Sequence, residues 1–372
     1  MTLEFALTRS DRPAADDVRA SVLAEPGFGR HFTDHMVSID WTLDGGWHDA
    51  RVEPYGPLQM DPASAVLHYG QEIFEGMKAY RRADGSVWTF RPDQNAQRMQ
   101  RSAERLALPQ LPEEDFVEAV RQLVAIDEAW VPTGGEDSLY LRPFMIANEV
   151  FLGVRAAQTV RFMVIASPAG PYFPGGVKPV SIWLSREYNR AGRGGTGAAK
   201  CGGNYAASLL PTQQAVQHGC AQVLFLNEEG TDLEELGGMN VVLVKADGTL
   251  VTPASESILD GVTRNSLLQL AADAGHEVEQ RTVTLAEWRD GVADGSITEA
   301  FACGTAAVLT PIAALKSHDE VIGDEHAPAG PVATALRKQL TDIQYGRVED
   351  PHGWMVQLTE AQASGAESAE AR

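Results

Sequence analysis

The chain has 372 residues, 44% of them hydrophobic, and carries 30 Lys and Arg against 51 Asp and Glu, a formal net charge of -21 at pH 7. That length is ample for a large core and suggests roughly two domains, while the acidity speaks against nucleic acid or an anionic membrane as partner, since phosphates attract clustered cations. No run of about 18 apolar residues could span a bilayer, Met1–Ala20 is too charged for an export segment, and three cysteines without a C-x-x-C pair point to neither zinc nor a redox switch, so a cytoplasmic protein with no metal site is expected.

In chain order, the first strong element is an amphipathic helix from Asp93 to Leu106, with Pro92 and Asp93 as start signals and Pro109 as the stop. A second helix is predicted from Glu113 to Trp130. Arg161–Ala166, Val180–Leu184 and Ala221–Leu226 are apolar or alternating runs bounded by Gly and Pro, the pattern of strands. Between the first two lies Ser167–Gly176, whose three prolines and three glycines in ten residues fit no regular element. It predicts a boundary: a smaller N-terminal α/β domain over 1–167, a connection over 168–176, and a larger domain over 177–372. A third helix is predicted from Thr263 to Ala274, with Gly275 behind it. Thr359–Arg372 is small and polar, the composition of a frayed tail.

The segment Gly195-Thr196-Gly197-Ala198-Ala199-Lys200-Cys201-Gly202-Gly203-Asn204-Tyr205 sets one lysine and one tyrosine on a glycine-dense backbone. Glycine permits close approach and positive φ, and an amine that is buried or crowded by cations loses its proton and becomes a nucleophile. Taken alone the segment is equally a glycine loop with an exposed lysine. A nucleotide-binding phosphate loop does not fit, because that motif needs Gly before the Lys and Ser or Thr after it, whereas Ala199 and Cys201 stand there. Cys201 reads as a small packing residue.

Further segments fit the same chemistry: Leu67–Lys78, Phe90-Arg91-Pro92 with Arg98, Leu139-Tyr140-Leu141-Arg142-Pro143, Tyr172-Phe173-Pro174-Gly175-Gly176, Glu235-Leu236-Gly237-Gly238-Met239-Asn240 and Gly304-Thr305-Ala306. In kind and order, from about Phe28 to Gly346, they resemble the branched-chain amino acid aminotransferases, members of the fold-type IV pyridoxal phosphate enzymes. The resemblance implies an α/β protein of two domains, the C-terminal one a pseudo-barrel. It implies pyridoxal 5'-phosphate as cofactor, a homodimer, and ping-pong transamination of L-leucine, L-isoleucine and L-valine with 2-oxoglutarate. A D-amino acid transaminase or aminodeoxychorismate lyase of the same fold is the alternative; Tyr140, Arg142 and the run Phe74-Glu75-Gly76-Met77-Lys78 favour the branched-chain activity. A non-catalytic relative is disfavoured by the retained Lys200 and Glu235.

Such chemistry requires an amine for the aldehyde, a partner for the ring nitrogen, a cradle for the phosphate and a grip on the substrate carboxylate. By resemblance Lys200 is the covalent anchor and the base that moves the substrate proton. Glu235 keeps the ring nitrogen protonated; on a strand only one of Glu234 and Glu235 can face the ring, and the family frame selects Glu235. Gly238 stands where several members carry threonine. Tyr205 donates to the ring 3-oxygen. Arg98 matches the phosphate arginine, although nothing local separates it from Arg91, Arg101 or Arg105. Val262 and Thr263, opening a helix after Gly261, offer free amides, and Thr305 with Ala306 offers a hydroxyl and backbone N–H groups to phosphate or substrate carboxylate. Phe28, Tyr69, Tyr140, Tyr172 and Tyr205 match pocket-lining aromatics, Arg142 is the candidate for the distal carboxylate of glutamate, and Leu152 and Val154 match residues contributed by the partner subunit.

Overall fold

The structure, a computed structural model, describes residues 2–172 and 175–361. Phe173 and Pro174 of the expected connection, and 362–372 of the expected tail, lie outside the described residues. Eight strands precede the connection: β1 (Ala6–Leu7), β2 (His35–Thr42), β3 (Gly46–Pro54), β4 (Glu72–Phe74), β5 (Met77–Arg81), β6 (Val87–Phe90), β7 (Ser138–Ile146) and β8 (Thr159–Ala169). After it come β9 (Val180–Leu184), β10 (Gln222–Leu226), β11 (Leu233–Leu236), β12 (Asn240–Lys245), β13 (Leu250–Pro253), β14 (Val278–Arg281), β15 (Ile297–Gly304), β16 (Val308–Lys316), β17 (Val321–Gly323) and, near the C-terminal end of the described residues, β18 (Met355–Thr359). The helices are α1 (Asp16–Ala24), α2 (Ala65–Tyr69), α3 (Pro92–Arg105), α4 (Glu113–Ile126), α5 (Gly202–Gln217), α6 (Val262–Asp273), α7 (Leu285–Asp294) and α8 (Pro331–Gln344). Among the described residues no helix is long and apolar enough to cross a membrane.

Two mixed sheets result. The first runs β1-β3-β2-β8-β7-β5-β6, with β4 also on β7, and is extended beyond β6 by β18 (Met355–Thr359). The second runs β11-β10-β9-β16-β15-β12-β13-β14, with β17 on β16. Its first strand, β11, packs back against β12 and β13, so the sheet curls toward closure, as the expected pseudo-barrel requires.

Each element follows from its pattern. Pro92 at the first position of α3 has no N–H to waste, and Asn95, Ala96, Arg98, Met99, Ser102 and Ala103 form its buried stripe at helical spacing. The predicted second helix is α4, followed by a 3-10 turn over Glu128–Trp130. β7 alternates, sending Leu139, Leu141 and Met145 into the core and leaving Tyr140 and Arg142 on the other face. One core lies between the first sheet and α3 and α4, around Phe116, Leu123 and Phe162. A second joins the two sheets, with Tyr80, Phe90 and Met355 packed on Leu267, Leu340 and Phe301 of the other half.

Two boundaries differ from the sequence reading. Ser167, Pro168 and Ala169 still belong to β8 and face Tyr140, Leu139 and Ser138. The β2 ladder on β8 stops at Val164, and beyond it single bonds from Thr33 N to the Ala166 carbonyl and from Gly170 N to the Gly27 carbonyl flank Pro168, so the proline breaks no ladder bond. The C-terminal strand β18 pairs with β6 rather than with the second sheet, so residues 355–359, Thr359 included, belong with the first.

Candidate active site

The glycine-dense segment is a loop leading into α5, and its glycines are where other backbone comes too close for a side chain. A Cβ on Gly197 would lie 2.2 Å from the Ser257 carbonyl oxygen, and one on Gly202 would lie 2.4 Å from a Glu72 carboxylate oxygen. Asn204 braces the loop by donating to the carbonyls of Thr196 and Ala199, both at 2.8 Å. Lys200 donates its backbone N–H to Ser102 Oγ of α3 at 2.9 Å, and its carbonyl accepts from Phe74 N of β4 at 2.9 Å. The lysine is thereby pinned where the two sheets meet. Its Nζ lies 2.6 Å from Tyr205 Oη and 4.7 Å from the Phe74 ring centroid. Burial lowers the ammonium to about 8, with Arg98 adding repulsion and Glu75 opposing it. Cys201 beside it is a buried packing residue.

On β11 the two glutamates part company. Glu235 is fully enclosed and pairs with Arg190 Nη2 at 2.6 Å, accepting also from Leu259 N at 2.8 Å and Asn240 Nδ2 at 3.2 Å. Burial pushes its carboxyl up to about 7 against the pull of Arg190 and the Leu259 amide. Glu234, equally buried, accepts from Ser257 Oγ and is raised by burial too. Neither is a solvated surface charge. Tyr205 senses Glu235: burial and that charge raise its phenol to about 12. Arg190, which the sequence reading did not single out, also donates to the Gly197 carbonyl at 2.7 Å and the Ser257 carbonyl at 2.5 Å. One guanidinium thus ties the lysine loop to the glutamate strand.

The four arginines indistinguishable in sequence separate cleanly. Arg98 is buried, Arg91 half-buried, and Arg101 and Arg105 exposed. Arg98 forms a fork on Glu75, both bonds 2.7 Å, and donates to the Asp260 carbonyl at 3.0 Å, just before the start of α6. Burial disfavours its charge, but Glu75 more than restores it, and the pKa is raised. Glu75, missed in the sequence although it stands in a motif, is further held by Asn95 Nδ2 at 2.7 Å. No side chain caps α6, so the amides of Val262 and Thr263 form an open, positive helix end. A Cβ on Gly261 would lie 1.9 Å from Asn240 Oδ1, so only glycine fits before that end.

Across from these, the β15–β16 turn carries Gly304, Thr305, Ala306 and Ala307, which line a cavity of about 270 Å³ with Tyr205, Gly238, Met239 and Tyr172. Val308, closing the turn, has φ 63°, a conformation a β-branched residue rarely adopts. A Cβ on Gly238 would touch only Tyr205, at 3.6 Å, so the position has room for a side chain. Tyr140 and Arg142 stand on the Phe74 side of Lys200, near enough to act on its charge. Arg142 Nη2 donates to Tyr140 Oη at 2.9 Å, its guanidinium lies 4.8 Å from the Phe74 centroid, and its buried Nε has no partner. A Cβ on Gly76 would lie 2.2 Å from Tyr140 Oη. Phe28 stands edge-on to Tyr140, centroids 5.0 Å apart, and with Tyr172, Lys78 and Ala306 it lines a second cavity of about 460 Å³.

The structure therefore brings together Lys200, Tyr205, Glu235, Arg98, Tyr140, Arg142 and the Thr305–Ala306 turn. It does not bring Tyr69, Leu152 and Val154 to that cluster: the tyrosine's bond and ring contact are with Leu152 and His68. They form a separate patch in which Tyr69 Oη donates to the Leu152 carbonyl and Val154 is 87% exposed.

A family model described as amino-transferase class IV matches residues 72–315. A branched-chain-amino-acid aminotransferase of Mycolicibacterium smegmatis is 58% identical over 362 residues, covering 96% of this chain and 98% of that one. Among solved structures, the T.th. branched-chain amino acid aminotransferase with pyridoxamine 5'-phosphate superposes with a TM-score of 0.72 at 28% identity, covering 87% of this chain and 99% of its own. The same enzyme complexed with 4-methylvaleric acid gives 0.70, with the same identity and coverage. With most of its length matched by the family model and nearly all of it by so similar a relative, the chain belongs to the class IV aminotransferases, among those of branched-chain amino acids.

Proposed function

We propose that the protein transfers the amino group of L-leucine, L-isoleucine or L-valine to 2-oxoglutarate with pyridoxal 5'-phosphate held on Lys200. The carrying observation is the lysine itself: an amine poised at about 8, with Arg98 and Glu75 acting on its charge, bonded to a tyrosine and close enough to the buried Glu235 to lower its carboxyl. The residues fit that cofactor. Arg98 with the uncapped start of α6 suits a phosphate dianion, Glu235 suits a ring nitrogen that must stay protonated, and Tyr205 suits the ring 3-oxygen. When bound, the cofactor supplies an aldehyde that condenses with amines and a ring that withdraws electrons from the substrate Cα.

The chain's own residues do the rest. Lys200 Nζ, once free of the cofactor, would take the proton from the substrate Cα and deliver it to the former aldehyde carbon, the reverse transfer serving the second half of the cycle, and a pKa near the working pH suits both directions. Arg190 favours the ionised form of Glu235, opposing the burial that pushes its carboxyl up to about 7. Thr305 and Ala306 receive the carboxylate that all substrates share. The aromatic walls of Phe28, Tyr140 and Tyr172 shelter the aliphatic chain, while Arg142, with a buried Nε to spare, receives the distal carboxylate of glutamate.

The working unit in this reading is a homodimer. Leu67, Tyr69, Val150, Phe151, Leu152 and Val154 are exposed on adjoining backbone, for Ser64 bridges Val150 and Ala63 O accepts from Phe151 N. A contiguous apolar patch of this kind marks an interface, across which Tyr69, Leu152 and Val154 reach the partner's site. Three free, buried cysteines fit the reducing cytoplasm. Incubation with L-leucine and 2-oxoglutarate should yield L-glutamate and 4-methyl-2-oxopentanoate. Turnover of D-alanine, with none of L-leucine, would favour the D-amino acid transaminase instead.

A further inference from the structure

Lys78 lies buried on β5, directly opposite Tyr140 on β7, so both side chains leave the same face of the first sheet. Its Nζ donates to the Ala306 carbonyl at 2.8 Å, linking that sheet to the β15–β16 turn of the other. Burial lowers its ammonium to about 8 despite the opposing charge of Glu136, with Arg337 adding to the lowering; Glu136 is itself forked on Arg337. The turn it grips ends in the left-handed Val308. Strain of that kind persists only where neighbours over-determine it, and it gathers at ligand sites. Ala306 borders both cavities, so a small displacement of the turn alters the wall between them.

We propose that Lys78 is a positioning residue whose bond to the Ala306 carbonyl holds the strained turn so that Thr305 and Ala306 present their N–H groups to the substrate carboxylate. The proposal rests on the aminotransferase reading above. Because branched-chain and acidic substrates, amino and oxo, all carry that carboxylate, the effect of losing Lys78 is uniform across them.

Lys78→Met keeps an unbranched apolar stem and removes the donor; Lys78→Arg keeps a donor. In Lys78→Met, KM for L-leucine and for 2-oxoglutarate should rise together by about 10- to 100-fold, the range of one charge-assisted hydrogen bond, with kcat changed far less. Lys78→Arg should recover most of the loss, which a merely structural role would not produce. Calorimetric titration of the holoenzyme with 4-methylvaleric acid, a leucine-shaped carboxylate that cannot react, should show the same rise in Kd. An unchanged Kd, or a KM that rises for 2-oxoglutarate alone, overturns the proposal. Wild-type protein that binds 4-methylvaleric acid but does not transaminate L-leucine overturns the functional reading instead, and the Kd comparison then still decides the role of Lys78.

Discussion

Glu235→Gln separates the roles of the buried carboxylate. Its oxygens are held at 2.6 Å by Arg190, 2.8 Å by Leu259 N and 3.2 Å by Asn240 Nδ2. A glutamine carbonyl in the place of Oε1 can still accept from Leu259 N and Arg190, but its NH₂ then confronts the Asn240 Nδ2 donor, and Arg190, whose Nε already lacks a partner, loses its counter-charge. Breaking a buried pair on one side costs about 3–5 kcal/mol. Gly197 O and Ser257 O still receive Arg190, which favours the low end, so a loss of about 3 kcal/mol, or roughly 6–12 °C in Tm for domains of this size, is expected. The same change removes the charge that keeps the ring nitrogen protonated, so the single-turnover rate with L-leucine should fall by at least about 100-fold, as when one preorganised electrostatic group is lost. Differential scanning fluorimetry of the cofactor-free protein and stopped-flow absorbance of the loaded one read the two effects separately. Glu234→Gln is the control: that side chain meets Ser257 Oγ rather than Arg190, Leu259 N and Asn240, and turnover should hardly change. A Glu235→Gln protein that melts within about 2 °C of wild type and keeps its rate, or an exchange of phenotype between the two variants, would refute this account of β11.

Two further predictions concern Lys200 and the subunit interface. With its ammonium lowered from 10.5 to about 8, Lys200 gains its free amine as pH rises through about 8, and its contribution to stability is present at high pH and lost as pH falls through that value. The rate at which cofactor-free protein condenses with pyridoxal 5'-phosphate should therefore be half-maximal near pH 8, read by absorbance; a midpoint near 10.5 contradicts the shift. Lys200→Ala and Val154→Trp should each be inactive alone as homodimers, but mixing them under subunit exchange should restore activity, because one site of the mixed dimer has both an intact lysine and an unblocked partner. Proven heterodimers that stay inactive would assign the whole pocket to one chain.

Much of this was legible in sequence where local pattern carried it. The start signals gave α3 within a residue, and the alternation of β7 separates Tyr140 and Arg142 from its core residues. Arg98 could also have been singled out by periodicity, since it lies between Asn95 and Ser102 on the stripe marked by Ala96, Met99 and Ala103. What was not legible is non-local. Arg190 comes from an irregular loop and acquires meaning only where Gly197, Ser257 and Glu235 converge. Glu75 and Lys78 stood inside a motif but showed no role until Arg98 and the Ala306 carbonyl arrived from distant segments. The return of Met355–Thr359 to β6 follows from packing on Tyr80 and Phe90, which no local composition encodes.

The central claim is that Lys200 carries the cofactor, and borohydride reduction followed by digestion and peptide mass spectrometry tests it most directly. The reduced adduct should sit on the peptide containing Lys200, and Lys200→Ala should lose both adduct and transamination. A stoichiometric label on Lys78, Lys178 or Lys245, with none on Lys200, would contradict the account.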